Sequence, residues 1–148
     1  MYSIRQFLDR KGRDVYSVRP SAPVLEALKL MAEKNCGCLV VLDDEDKLVG
    51  VLSERDYARK VILLDKASVD TPVSEIMTAD VHTVGENHTL DQCLTIMSER
   101  NIRHLPVVER RSVVGVLGIG ELVEHKMAEK EHQIQDLTRY IGGNLAYR

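Results

Sequence analysis

The chain has 148 residues, 44% hydrophobic and 29% charged, with a net charge of −3. That is enough for a real core, without the basic surplus that nucleic acid or an anionic membrane attracts. One Phe and no Trp leave few base-stacking platforms, no apolar run approaches the ~18 residues of a membrane span, and three cysteines suit no disulfide framework, so the expected setting is a reducing cytoplasm.

Ile4, Phe7 and Leu8 recur at helical spacing, so residues 3–11 read as a short helix stopped by Gly12. Residues 14–18 alternate like a strand. Ser21 reads as a cap and Pro23 as the first turn of a helix whose stripe is Val24, Ala27, Leu28 and Met31, ending near Asn35. Leu39 to Leu42 and Leu48 to Leu52 form a hairpin around an acidic loop, and a helix follows from Glu54 to Leu64. After the polar residues 65–72 the series restarts. It runs through a short helix at Val73 to Met77, a strand at Val81 to Val84, a helical stripe at Leu90, Cys93, Leu94 and Met97, and a hairpin of Leu105 to Val108 with Val113 to Leu117. From Gly120 onward the chain reads as helix.

The restart is a duplication. Val84 and Val18, Leu90 and Val24, Met97 and Met31, Asn101 and Asn35, and Leu105 and Leu39 are each separated by 66 positions. Gly115 and Gly50 are separated by 65, because the second hairpin loop is one residue shorter. Each copy reads β-α-β-β-α and is too small to hold much core alone. The expected fold is therefore α/β of the α+β type, two copies packed sheet to sheet about a pseudo-twofold axis, with ligand clefts where they meet.

At Gly50-Val51-Leu52-Ser53-Glu54-Arg55-Asp56 a strand runs into a helix start, where free N–H groups, a hydroxyl, a guanidinium and a carboxylate suit a phosphate and a sugar diol. The same Ser53 and Asp56 also spell a capping box. In the second copy the corner is Gly118 and Glu121, a hydroxyl lost and an acid on a longer arm, so two unequal sites are expected.

These stretches resemble a known family. Val18-x-Pro20, Leu39-Val40-Val41 and the corner just described are similar to a CBS motif. Val73-Ser74-Glu75-Ile76-Met77-Thr78, Ile102-Arg103-His104-Leu105-Pro106-Val107-Val108 and Gly115-Val116-Leu117 are similar to the second motif of a CBS pair, or Bateman module. The resemblance covers residues 3–125 and is to stand-alone bacterial CBS-pair proteins. It divides the chain into a first motif with the N-terminal helix (1–65), a second motif (66–125) and a helical tail (126–148). It implies a non-enzymatic sensor of AMP or another adenosyl ligand (ADP, ATP, NAD, with S-adenosylmethionine less favoured), a homodimer in a disc of four motifs, and an unidentified effector protein acted on in trans. Ser53 is then the phosphate contact and Asp56 the ribose contact. Ser17 and Thr83 line the clefts, and Gly37 with Cys38, and Arg103 with His104, border the base. Arg55 and Arg59 reach for phosphate in either cleft.

Other chemistry is thin. Cys36 and Cys38 invite a thiol or metal responder, but Cys36 aligns with Ile102, which favours small buried thiols. A dimeric scaffold with vestigial clefts is the other alternative. Ser53 and Asp56 have no histidine beside them and make no triad. In the tail, Met127, Ile134, Leu137 and Ile141 form one stripe, which packs on its own domain or on a partner subunit.

Overall fold

The computed structural model describes the backbone of residues 2–146 and the surroundings of side chains 2–141; the last two residues of the expected tail lie outside the described residues. The first helix, α1 (Ile4–Lys11), is capped by a box in which Ser3 and Gln6 satisfy each other's backbone donors, and it buries Ile4, Phe7 and Leu8. Strand β1 (Ser17–Val18) precedes α2 (Val24–Lys34), whose C-cap Asn35 is left-handed with φ 52°. The start of α2 departs from expectation. Pro23, not Ser21, holds the N-cap, and the free donors of Val24 and Leu25 go to the carbonyls of Thr71 (2.8 Å) and Ser68 (3.0 Å).

Strands β2 (Cys38–Leu42) and β3 (Leu48–Ser53) form the first hairpin, and β1 pairs parallel with β2, giving the order β1-β2-β3. The expected long helix after β3 is instead a short α3 (Glu54–Tyr57), which passes into one π turn over Ala58–Ile62 that ends with Leu63 N–H donating to Ala58 O at 3.3 Å. Helix α4 (Val73–Ile76) then leads to α5 (Leu90–Arg100), which a Thr89–Gln92 capping box starts and left-handed Asn101 ends. Strands β4 (His104–Glu109) and β5 (Ser112–Gly118) pair as a two-stranded sheet. The strand expected at Val81 to Val84 is reduced to one parallel bridge, Val84 to Val107. The register shifts at Val41/Leu42 and Val107/Val108 are 66 positions apart, so the duplication extends to the bulges. The last helix, α6 (Ile119–Ala146), carries second motif and tail as one rod. Among the described residues, no helix is long and apolar enough to cross a membrane.

The fold is α+β, with two cores, and each core borrows a helix from the other half. Ile4, Phe7 and Leu8 of α1 pack with Val84, Leu90, Met97, Leu105 and Leu117 of the second copy. Val73 and Ile76 of α4 pack with Val24, Met31, Leu39 and Leu52 of the first. The hydrogen bonds repeat. Ile4 N–H donates to His88 O (2.9 Å) as Val73 N–H does to Ala22 O (2.8 Å), and Leu90 N–H donates to Tyr2 O (3.0 Å) as Val24 N–H does to Thr71 O (2.8 Å). This reciprocity is what a twofold relation between the halves produces. It has a steric signature too. A Cβ on Gly115 would lie 2.8 Å from Leu8 Cδ2, and one on Gly50 would lie 2.5 Å from Met77 Sδ, so both glycines open the same slot for an exchanged helix.

Candidate functional site

Two cavities of about 350 and 340 Å³ span both halves. Both fall within the range of small-molecule sites. The first is built where β3 turns into α3. Gly37 and Cys38 enter β2 on one side, the loop into β4 supplies Arg103 and His104 on the other, and Thr78, Asp80, Val81 and His82 close the edge. The backbone sets this up: Cys38 lies opposite Ser53 in the first hairpin as His104 lies opposite Gly118 in the second.

At the corner both sequence meanings of Ser53 and Asp56 coexist. Asp56 N–H donates to Ser53 Oγ at 3.2 Å, and Ser53 N–H and Oγ–H donate to Asp56 Oδ2 at 3.0 and 3.1 Å, a complete capping box. The other oxygen, Oδ1, faces Lys60 Nζ at 3.2 Å and Thr78 Oγ1 at 3.4 Å. A carboxylate offers about four acceptor positions, and here all four are engaged. A diol bound at Asp56 therefore replaces existing donors, and the long Thr78 contact and the Ser53 hydroxyl are the least costly to give up. A released Ser53 Oγ–H is then free for an anion. Arg55, Arg59 and Arg103 also line this cavity, and among the described residues none has a carboxylate at ion-pair distance.

The second cavity is the pseudo-equivalent of the first with different contents. Gly118 removes the hydroxyl. Glu121 is held by Lys11, with Nζ to Oε2 at 2.6 Å, and the same Nζ donates to Val116 O. In the first half the corresponding strand position, Val51, is bridged by the backbone of Thr78 instead. An internal ion pair thus occupies the acid that would meet a ligand.

Of the residues expected at the site, Gly37, Cys38, Ser53, Arg55, Asp56, Arg59, Arg103 and His104 come together in the first cavity. Gly118 and Glu121 lie in the second, which shares Gly37, Cys38 and His104 with the first. Arg55 and Arg59 line only the first cleft, not either one. Ser17 and Thr83 line neither: Ser17 opens on an outer groove beside Arg19 and Glu26, and Thr83 is exposed. The reason is the period of two in extended chain. Val18 and Val84 point into the cores, so Tyr16 and His82 share their side, and these two line the cavities instead. The buried valines were the signal for that choice. Thr78, Asp80 and Lys11 are further lining residues that the motif comparison did not supply.

Burial pushes the Cys38 thiol up to about 12, helped by the charges of Asp56 and Cys36, which keeps it protonated and works against thiolate or metal chemistry there. Burial also pushes His104 below the usual histidine value. Lys11 and Arg103 add to this, while Glu121 opposes it, so the shared wall presents a neutral imidazole at neutral pH.

The CBS domain family model matches the chain twice, over residues 8–63 and 73–128. A mitochondrial CBS domain-containing protein of Arabidopsis thaliana, CBSX3, is 34% identical over 124 residues, which is 81% of this chain but 60% of that protein's length. A putative signal-transduction protein with CBS domains from Burkholderia ambifaria is 42% identical, with a TM-score of 0.78, covering 84% of this chain and 91% of that one. The CBS domain pair of protein MJ0100, solved in complex with 5′-methylthioadenosine and S-adenosyl-L-methionine, has a TM-score of 0.77 at 25% identity and covers 87% of this chain and 98% of that one.

Proposed function

The chain belongs to the CBS domain family as a tandem pair, and on that premise we propose that it is a regulatory sensor whose first cleft binds a phosphate-bearing adenosyl ligand. The observation that carries the reading is the placing of Ser53 and Asp56 around one cavity with three arginines that have no carboxylate partner among the described residues. The complex of a related pair with two adenosyl compounds supports the adenosyl part. The arginines select within that class. AMP, ADP, ATP and NAD carry phosphate, whereas S-adenosylmethionine brings a sulfonium cation. The Lys11–Glu121 pair leaves the second cleft the weaker site. The protein acts as a homodimer on an effector in trans and is not a catalyst. Ligand energy enters through differential affinity, as Asp56 exchanges internal donors for the ribose.

Thermal unfolding with AMP, ADP, ATP, NAD and S-adenosylmethionine tests this. A ligand at 100 times its Kd adds about 2.7 kcal/mol, or roughly 5–11 °C for a chain of this size. At least one phosphate-bearing ligand is expected to give that shift, and S-adenosylmethionine a smaller one. Asp56→Ala is expected to remove the shift, measured against that variant's own ligand-free midpoint because the cap is lost as well. No shift with any of the five compounds replaces the sensor reading with that of a scaffold.

A further inference from the structure

We propose that α6 pairs, parallel and in register, with α6 of a second copy of this chain as a short two-stranded coiled coil. The inference is independent of the ligand reading. At 28 residues α6 is about 42 Å long. Among the described residues only its beginning is held by the domain: Leu122 is fully buried, and the His125 ring stacks on Tyr2 at 4.3 Å and meets Phe7 edge-on. Further out the apolar side chains have no cover. Met127 is 66% exposed, Ile134 63%, Leu137 60% and Ile141 50%.

These residues fall in one heptad frame. With Ile134 at position a, Met127 and Ile141 are also a, and Val123 and Leu137 are d; between positions 123 and 141 Lys130 is the one polar residue in the seam. The frame has the periodicity that places a and d on one seam. The flanks choose the orientation and the partner. Lys126 falls at g and Glu131 at e, and in a parallel in-register pair g faces the partner's next e, five residues on. Lys126 thus meets the partner's Glu131, twice by symmetry. An antiparallel pair sets e against e and g against g, and leaves both charges without a complement. In the single chain Lys126 Nζ lies 2.9 Å from Asp91 Oδ1, so on pairing it shares or exchanges that carboxylate for the partner's.

The test is a disulfide trap in the full chain. Cys36→Ser removes the most exposed native thiol, and Leu137→Cys places one at d. Mild oxidation is expected to give a covalent dimer, because facing d positions in register lie within disulfide reach, Cα to Cα about 4.4–6.8 Å. Adding Ile134→Asp, a residue exposed in the monomer, is expected to abolish the covalent dimer without changing the melting of the globular part. Glu131→Lys is expected to slow trapping, and Lys126→Glu in the same chain to restore it. A chain that sediments as a dimer yet does not trap, a chain that stays monomeric at high concentration, or trapping that survives Ile134→Asp each overturns the proposal.

Discussion

Leu8 and Gly115 stand 107 positions apart, yet a Cβ at 115 would lie 2.8 and 2.9 Å from the two Leu8 methyl carbons and 3.4 Å from Cγ. Real Cβ atoms do not come so close, so Gly115→Ala forces the α1 side chain to shift and is expected to cost about 1–3 kcal/mol by overpacking. Leu8 is fully buried, so Leu8→Ala is expected to cost about 2–5 kcal/mol through lost transfer energy and a cavity. The double variant is expected to cost about as much as Leu8→Ala alone, because the missing methyls remove the clash and the new methyl fills part of the space. That is a favourable coupling of about 1–3 kcal/mol, well outside the ~0.5 kcal/mol scatter of independent sites. Urea unfolding followed by circular dichroism measures it, with a constant slope required for the comparison. Leu8→Ala combined with Gly50→Ala is the control and is expected to be additive, since Gly50 faces Met77 and not Leu8. Additivity within about 0.5 kcal/mol for Leu8 and Gly115 would refute the helix exchange.

Gly118→Ser is expected to be tolerated and to strengthen ligand binding in the second cleft. Its Cβ meets Glu121 and His104 only at ordinary contact, 3.8–3.9 Å, and the hydroxyl supplies the missing cap and anion donor. Calorimetry with the ligand found for the first cleft reads this as a second binding event, and an unchanged stoichiometry with intact folding counts against it. Acid stability is expected to depend on Glu86, whose carboxyl is held below its ordinary value of 4.5, first by hydrogen bonding to Arg13 and then to Arg5. The unfolded chain takes up that proton first, so the contribution is present above the ordinary value and lost as pH falls through the folded one. Glu86→Gln should flatten the acid limb of an unfolding series below the ordinary carboxyl value, and an unaltered limb would show the pairing to be without effect.

The parts of the fold that were legible are those governed by local rules and written twice. Asn35 and Asn101 end α2 and α5 with the same left-handed residue, and the two hairpins align to the bulge. The Ser53–Asp56 corner, though written once, was legible through the local rule alone, as a cap within four residues. What escaped depends on contacts between distant segments. Nothing near Leu8 announces that its slot is cut by Gly115, and nothing near Lys11 announces Glu121. The second hairpin turn escaped differently. Arg110 and Arg111 both adopt positive φ, 50° and 68°, as the mirror-image two-residue turn demands, although that turn normally draws Asn and Gly. Ser17 and Thr83 stand one residue from Tyr16 and His82, which line the cavities, and in extended chain one residue reverses the face.

The exchanged helices bear on how such a protein comes into being. On the ribosome, the first half is made without Val73 and Ile76, and the second is made after it yet needs Ile4 and Leu8 from before the first half. Neither half closes until both exist, so folding is expected to be one event with long-range closure, not two in sequence. A solitary unit of this design would find the helix it lacks only on a twin, and would live as an interlocked pair. Joining two units end to end converts that encounter from one between molecules into one within a chain, where the partner is held at a fixed effective concentration. The copies are then free to diverge, one keeping an open cleft beside the Ser53–Asp56 cap, the other filling its cleft with Lys11 and Glu121.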